Sequence, residues 1–263
     1  MTARPTPIRE IVVVVPVRDE ELTLEACLWA LTFAMDSLGA SGTTPGPRVT
    51  AIIVLDTCRD ASALIAGRAS ARDPRIRVVE CLRGSVGAAR RAGVRAALTP
   101  DAPSVAPEAG VTWIASTDAD SMVPADWLVS HLQIADDGAD ILLGTVSLAA
   151  APDDAELGAR WRSSYADDEG RPHIHGANLG VRASTYLLAG GFPPVREHED
   201  VELVAAAEAA GAVIVASERM PVVTSARRIG RTPGGFASFL SDLCDPAQRP
   251  RENQHTTTER SMR

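Results

Sequence analysis

The chain has 263 residues, of which 45% are hydrophobic and 23% are charged, the composition of an ordinary globular domain. Its net charge of −8 disfavours a nucleic-acid partner, and the complete absence of lysine excludes both a Schiff-base lysine mechanism and a phosphate-binding P-loop. The four cysteines form no C-x-x-C pair, and no apolar stretch reaches the roughly 20 residues that span a bilayer. We therefore expect a cytoplasmic protein with no transmembrane segment, whereas peripheral contact with a membrane stays open.

Strand and helix patterns alternate four times in the first half of the chain. Ile11–Val15 is a β-branched run that predicts a buried strand ended by Pro16, and 20–37 then shows helical spacing of leucines. Further strands are predicted at 49–55, 76–81 and 111–116, with helices at 61–71 and 86–98 between them. This alternation predicts a single α/β domain with a mostly parallel central sheet and helices on both faces.

The second half is less regular. It predicts strands at 141–148 and 212–217, helices at 199–210 and 235–243, and a polar, helix-compatible segment at 153–168. The residues after Pro246 are polar and rich in Thr and Arg, which is typical of a disordered tail. We expect one domain over 1–246 and a tail at 247–263.

Polar clusters follow three of the predicted strands at their carboxyl ends. They are Val17–Glu20, Asp56–Asp60 and Asp118–Asp120. Ligands of open parallel sheets bind outside the carboxyl ends of the strands, so these clusters predict a binding site along one rim.

Asp118-Ala119-Asp120 is the first candidate for chemistry at this rim. Side chains two residues apart on an extended segment point the same way, so the two carboxylates suit Mg²⁺ or Mn²⁺, with a diphosphate filling the remaining positions. The alternative is an Asx turn or a helix cap. Arg90 and Arg91, on a predicted helix, are candidate partners for phosphate or carboxylate, and a solvated helix face is the alternative.

Three later segments add candidates. In His198-Glu199-Asp200 a carboxylate would serve as general base, or else the segment caps a helix. Segment 175–178, with His175, Gly176 and Asn178, resembles a pocket wall more than a histidine metal site. Arg227 and Arg228 would close over a diphosphate, or else lie in a solvated basic loop.

Taken together and in this order, six short motifs resemble family 2 glycosyltransferases, which have the GT-A (Rossmann-like) fold. The resemblance runs from about Ile11 to Leu240. The motifs are Val15–Glu20, Val54–Asp56, Gly87–Gly93, Thr117–Asp120, Gly190-Gly191-Phe192 and Glu199-Asp200. The resemblance implies a nucleotide-binding half at about 8–120 and an acceptor-binding half at about 121–246.

The resemblance also implies roles for individual residues. Asp200 is the implied catalytic base, with Glu199 as its neighbour or substitute, and Asp120 and Asp118 are the implied metal ligands. Contacts to the nucleotide or donor are implied for Pro16, Val17, Arg18, Glu20, Asp56, Arg90, Asp118, Arg227 and Arg228, with Asp56 at the base. The sugar and acceptor pocket would contain His175, Gly176, Asn178, Gly190 and Gly191, the two glycines letting the chain approach the sugar closely.

The implied reaction is an inverting transfer of a sugar from a nucleoside-diphosphate donor to an acceptor hydroxyl, assisted by Mn²⁺ or Mg²⁺, in the manner of a hexosyltransferase. UDP- and GDP-sugars are the expected donors, and the acceptor is unknown. The sequence departs from the family pattern at Leu55 and Asp19, and the only histidine after His198 is His255. Two alternatives stay open: a catalytically degenerate nucleotide-binding or scaffold protein of the same fold, and a sugar nucleotidyltransferase.

Overall fold

A computed structural model describes residues 6–41, 46–99, 108–149 and 173–227. Its eight strands form one sheet in the order β3-β2-β1-β4-β7-β6-β8-β5. The strands are β1 (Glu10–Val17), β2 (Arg48–Asp56), β3 (Ile76–Cys81), β4 (Thr112–Ser116), β5 (Ser121–Met122), β6 (Ile141–Leu148), β7 (Leu179–Arg182) and β8 (Ile214–Thr224). The first four are mutually parallel, and β7 runs antiparallel to both β4 and β6.

Helices cover both faces of this sheet, as the alternating sequence pattern predicts. They are α1 (Leu24–Ala40), α2 (Ser62–Arg72), α3 (Val86–Leu98), α4 (Trp127–Asp136), α5 (Ala183–Leu188) and α6 (Glu199–Ala209), with short 3₁₀ turns at Ala109–Val111 and Gly176–Asn178. Buried residues of α1, α2 and α4 form one core, and those of α3, α5 and α6 form the other. Among the described helices, none has the length and apolar character needed to cross a bilayer.

Strand β1 continues through Pro16, so the prediction that this proline ends the strand is wrong. The pairing of β1 with β4 stops at Val14 opposite Ser116, whereas β1 still pairs with β2 at Pro16 opposite Val54. Val14 directs its carbonyl to Thr117 on the β4 side, and Pro16, two residues further, points the same way. Pro16 lacks an N–H on the side where β4 has already ended, so no hydrogen bond of the sheet is lost.

Several other boundaries differ from the sequence prediction. Helix α1 begins at Leu24 instead of residue 20, because residues 21–23 form a turn. Strand β8 extends to Thr224, well beyond the predicted 212–217, and β5 and β7 are short strands that no strong apolar run marks. The predicted helices at 153–168 and 235–243 and the tail at 247–263 lie outside the described residues.

Gly93 of α3 lies directly against β1 and β2, and this contact provides a test of the packing. A Cβ at Gly93 would lie 2.6 Å from Val14 Cγ1 and 2.8 Å from Val54 Cγ2. Both valines are fully buried and stiff, so the gain in helix propensity from Gly93→Ala is outweighed by overpacking, typically about 1–3 kcal/mol. We expect Gly93→Ala to lower the melting temperature.

Gly67 in α2 is the matched control, because a Cβ there would meet nothing within 4 Å. Gly67→Ala is expected to stabilise the protein by about 0.5–1 kcal/mol through helix propensity alone. Thermal unfolding of both variants measures the difference, and a Gly93→Ala protein as stable as Gly67→Ala would contradict the packing described here.

Candidate functional site

The turns that follow β1 and β2 are fastened to each other at the carboxyl edge of the sheet. The Glu20 N–H donates to Ser62 Oγ at 2.8 Å, and the Arg59 N–H donates to Asp19 Oδ1 at 2.7 Å. Asp19 has a φ of 52°, which turns the chain here. These hydrogen bonds hold Glu20 with its side chain only 7% exposed, facing Arg227. Val17 is buried and Pro16 half-buried at the end of β1.

Asp56, at the end of β2, holds the loop that leads into α3. Its carboxylate accepts the N–H groups of Arg83 and Gly84 on Oδ1 and that of Ser85 on Oδ2, at 2.8–3.0 Å. Three backbone hydrogen bonds use most of the acceptor capacity of one carboxylate. The structure thus places Asp56 at the predicted rim, as a side chain that organises a loop. The Arg18 guanidinium reaches the same loop at the Gly84 carbonyl, 3.4 Å away.

Arg90 lies at the centre of the site and is only 3% exposed, so the alternative of a solvated helix face is wrong. Its Nε donates to Ser116 Oγ at 2.9 Å, its Nη2 to Asp118 Oδ1 at 2.5 Å, and its Nη1 pairs with Glu199 Oε1. Charge-assisted pairs of this kind satisfy a buried guanidinium on three sides. One side chain therefore joins the end of β4 to the start of α6.

Asp118 and Asp120 lie at a turn formed by residues 119–120, so the prediction of an extended segment is wrong; Asp118 contacts Arg90, and Asp120 contacts Arg227. The Ser121 N–H closes this turn on the Asp118 carbonyl. Arg227 approaches from beyond β8: its Nη1 lies 2.6 and 2.8 Å from the two Glu20 oxygens, and its Nη2 lies 3.0 Å from Asp120 Oδ2. The predicted partner Arg228 lies outside the described residues.

The carboxylates crowd one another at this point. Burial above all, and then the negative charges of Asp118 and Glu20, raise the pKa of Asp120 to about 6 against the opposing effect of Arg227. A buried carboxylate beside two other carboxylates is costly to ionise, and a bound cation would reduce that cost.

Asp200 lies in the first turn of α6, with His198 as N-cap residue in the left-handed conformation, φ 63°. Its Oδ2 accepts the Gly176 N–H at 2.6 Å, so the 3₁₀ turn at 176–178 fixes one carboxylate oxygen. A Cβ at Gly176 would lie 2.5 Å from Arg90 Nη2, which means that only glycine fits between Arg90 and Asp200. Burial and the neighbouring His173 lower the pKa of His175 to about 4, so His175 is neutral at neutral pH.

Three of the predicted pocket residues have structural roles within the fold. The Asn178 amide, fully buried, accepts from Trp127 Nε1 and donates to the carbonyls of Thr145 and Met220. Gly190 and Gly191 have φ values of 84° and 74° and end α5 against Tyr186. The structure brings neither Asn178 nor the two glycines into direct contact with the carboxylates described above.

The loop after Gly191 is tied to the start of α3. Val195 accepts hydrogen bonds on its carbonyl from Ser85 Oγ, at 2.5 Å, and from the Gly87 N–H, at 3.2 Å. The segment that carries the candidate base is therefore attached to the helix that carries Arg90.

Sequence reasoning misses two residues that complete the Arg90 environment. Ser116 receives the Arg90 Nε–H, and the Phe192 ring lies 5.9 Å from the Arg90 guanidinium carbon. Ser116 directly precedes the Thr117–Asp120 motif, and Phe192 ends the Gly-Gly-Phe motif, so proximity to the motifs is the only signal for either.

The sequence matches the profile of Glycosyl transferase family 2 over residues 12–182, well over half of the chain. The protein therefore belongs to this family of glycosyltransferases. Comparison with curated protein sequences finds no significant match.

Solved structures share the fold. A mannosyltransferase from Pyrobaculum calidifontis superposes with a TM-score of 0.56 at 17% identity, over 91% of this chain and 71% of that one. Glucosyl-3-phosphoglycerate synthase from Mycobacterium tuberculosis gives 0.54 at 16% identity, over 89% and 76%. S. aureus TarS 1-349 gives 0.55 at 12% identity, over 83% of this chain but only 61% of that one. The likeness defines the GT-A fold.

The oxygen donors of Asp118 and Asp120 fit a hard divalent cation in type and charge. Among the residues that the structure describes, no cluster of three or more His, Cys, Asp or Glu side chains could hold a metal ion by itself. A cation at this carboxylate pair would thus need further oxygens, from water or from a ligand such as a diphosphate, to complete its coordination.

The buried Arg90–Glu199 pair predicts a strong effect on stability. Arg90→Met leaves Glu199 buried without its counter-charge, and such a loss costs about 3–5 kcal/mol. Adding Glu199→Leu removes the stranded charge, so the double variant is expected to be more stable than Arg90→Met alone. Arg91→Met, one residue along and exposed, is the control, with an expected loss of no more than about 1 kcal/mol. Urea denaturation measures the wild type and the three variants, and a double variant no more stable than Arg90→Met would contradict the pairing.

Asp120 carries a second prediction, because its pKa is raised to about 6 from 3.8. The unfolded chain ionises this carboxyl more readily, so stability falls as pH rises from about 4 to 6, by on the order of 1–3 kcal/mol. Asp120→Asn removes that cost. We expect it to raise the melting temperature near pH 7.5 and to do so less near pH 4.5. Asp126→Asn, exposed in the following segment, should change little at either pH, and a loss of stability in Asp120→Asn near pH 7.5 would refute the assignment.

Proposed function

We propose that the protein transfers a sugar, with inversion, from a nucleoside-diphosphate donor to an acceptor hydroxyl, with Asp200 as general base. The observation that carries the proposal is the continuity of the site. Arg90 contacts Asp118 and Glu199, and Gly176 lies between the Arg90 guanidinium and Asp200 Oδ2. A donor held at the Asp118–Asp120 turn would therefore lie near a carboxylate on the opposite helix.

The geometry of Asp200 suits it to accept a proton. One oxygen is held by the Gly176 N–H, and the other accepts the Val201 N–H at 2.9 Å, so the carboxylate is oriented by backbone on both sides. In an inverting transfer the acceptor oxygen attacks the anomeric carbon on the face opposite the leaving diphosphate, and the base takes the acceptor proton as the bond forms. Glu199 does not compete for this role, because Arg90 neutralises it.

The leaving group needs positive charge. Arg227 is a nearby guanidinium that is partly exposed to solvent, and a divalent cation at Asp120 and Asp118 would supply further positive charge to the departing diphosphate. The related mannosyltransferase was solved with GDP-mannose and Mn²⁺, and the related synthase with UDP-glucose and Mn²⁺. We therefore propose a UDP- or GDP-sugar as donor and Mn²⁺ or Mg²⁺ as cofactor, with the acceptor unassigned.

A thermal-shift screen tests the donor class. It uses UDP, GDP, ADP, dTDP and CDP, each with Mn²⁺, with Mg²⁺ and with EDTA. A ligand at 100 times its Kd stabilises a protein by about 2.7 kcal/mol, a readily visible shift. We expect either UDP or GDP to raise the melting temperature in a metal-dependent way. If none of the five diphosphates raises the melting temperature, the proposal is contradicted.

Asp200→Asn tests the general base. We expect the release of nucleoside diphosphate from the matching sugar donor, with water as acceptor, to fall by about 10²–10⁴-fold, because the amide cannot take a proton. The donor Kd, measured by calorimetry, should stay within about threefold. Glu202→Gln, exposed in the same first turn of α6, is the control and should retain activity. An active Asp200→Asn enzyme would move the base elsewhere.

A further inference from the structure

We propose that Arg227 couples cation binding to nucleotide binding by exchanging partners. In the nucleotide-free protein its guanidinium neutralises Asp120 and Glu20, and a nucleoside diphosphate draws it away and so frees Asp120 for a divalent cation. This inference rests on the proposed function and adds to it an order of events at the same site.

The geometry places Arg227 where a cation would bind. Its Nη1 lies between the two Glu20 oxygens, at 2.6 and 2.8 Å, and its Nη2 lies 3.0 Å from Asp120 Oδ2. The Glu20 and Asp120 side chains are only 7% and 11% exposed, so few other positive groups can reach them. Strand β8 fixes this approach, because Thr224 pairs with Ser121 and the Ser225 N–H donates to the Asp120 carbonyl.

The carboxylates at the site require a positive counter-charge, and either Arg227 or a divalent cation could supply it. Glu20, Asp118 and Asp120 contribute three carboxylates, and Arg90 is already committed to Glu199 as well as Asp118. Arg227 therefore supplies most of the positive charge that Asp120 faces. A divalent cation would supply more charge at the same carboxylate, so the guanidinium and the cation compete for Asp120.

A diphosphate resolves this competition. Its oxygens accept bidentate hydrogen bonds from a guanidinium as well as carboxylates do. The Arg227 side chain is 30% exposed, against 3% for Arg90, so its guanidinium can change partners without itself leaving a buried position. With Arg227 on the phosphates, Asp120 is available to the cation. Each ligand then strengthens the binding of the other, typically by about 5–150-fold, and the coupling is reciprocal.

Arg227→Gln tests the exchange through two binding measurements of opposite expected sign. Without nucleotide, Mn²⁺ affinity, measured by electron paramagnetic resonance of the free ion, should increase by at least about fivefold, because the competing charge is gone. With EDTA in place of metal, the affinity for UDP or GDP, whichever shifts the melting temperature of the wild type, should fall. Arg227→Lys keeps the charge without the bidentate fork, so both of its affinities should lie between those of the wild type and those of Arg227→Gln.

Arg219→Gln is the matched control, an exposed arginine on β8 that changes the net charge equally. It should leave both affinities within about twofold, which separates the local exchange from a general loss of positive charge. Unchanged or weaker Mn²⁺ binding by Arg227→Gln overturns the exchange while leaving the proposed function intact. If the wild type binds neither Mn²⁺ nor any nucleoside diphosphate, the proposed function fails, and the exchange fails with it.

Discussion

The arrangement of the site depends on one buried cation, the guanidinium of Arg90. A charge in this position is tolerated only when its donors are paired, and here Ser116, Asp118 and Glu199 pair with it while the Phe192 ring lies beside it. These partners come from the end of β4, the start of α6 and the loop before it. The Asp118 carboxylate and the helix that carries the candidate base are therefore both anchored to Arg90.

The two arginines of the site differ in the way they are held, and this difference separates their roles. Arg90 is enclosed by side chains and by Gly176, where nothing larger than glycine fits. Arg227 pairs with Glu20 and Asp120 from the solvent side, and its own side chain is 30% exposed. A rigid inner cation and an exchangeable outer one allow the site to keep its shape while its net charge changes with its ligands.

The sequence predicts the sheet and the positions of the acidic clusters well, because buried β-branched runs and the carboxyl ends of parallel strands are local features. Helical spacing alone does not distinguish Arg90 from Arg91, two identical neighbours of which one is buried at the centre of the site and the other exposed, whereas the family resemblance selects Arg90. The burial of Arg90 follows from the packing of α3 against the end of β4 and the start of α6, which the local sequence does not show. Asp56 shows the same limit: its place at the rim is predictable, but the three backbone N–H groups that occupy it come from a loop 27–29 residues away. The prediction that Pro16 ends β1 fails because the pairing with β4 stops at Val14, which no local sequence pattern shows.

The attachment of Val195 to the start of α3 has a consequence for the way enzymes of this fold can be recombined. Its carbonyl accepts from Ser85 Oγ and from the Gly87 N–H, so residues more than 100 positions apart form one junction. A chimera that exchanges the second half of the chain for that of a relative would inherit this junction only if both sides matched. A crossover chosen from the linear order alone would separate the two sides of this junction.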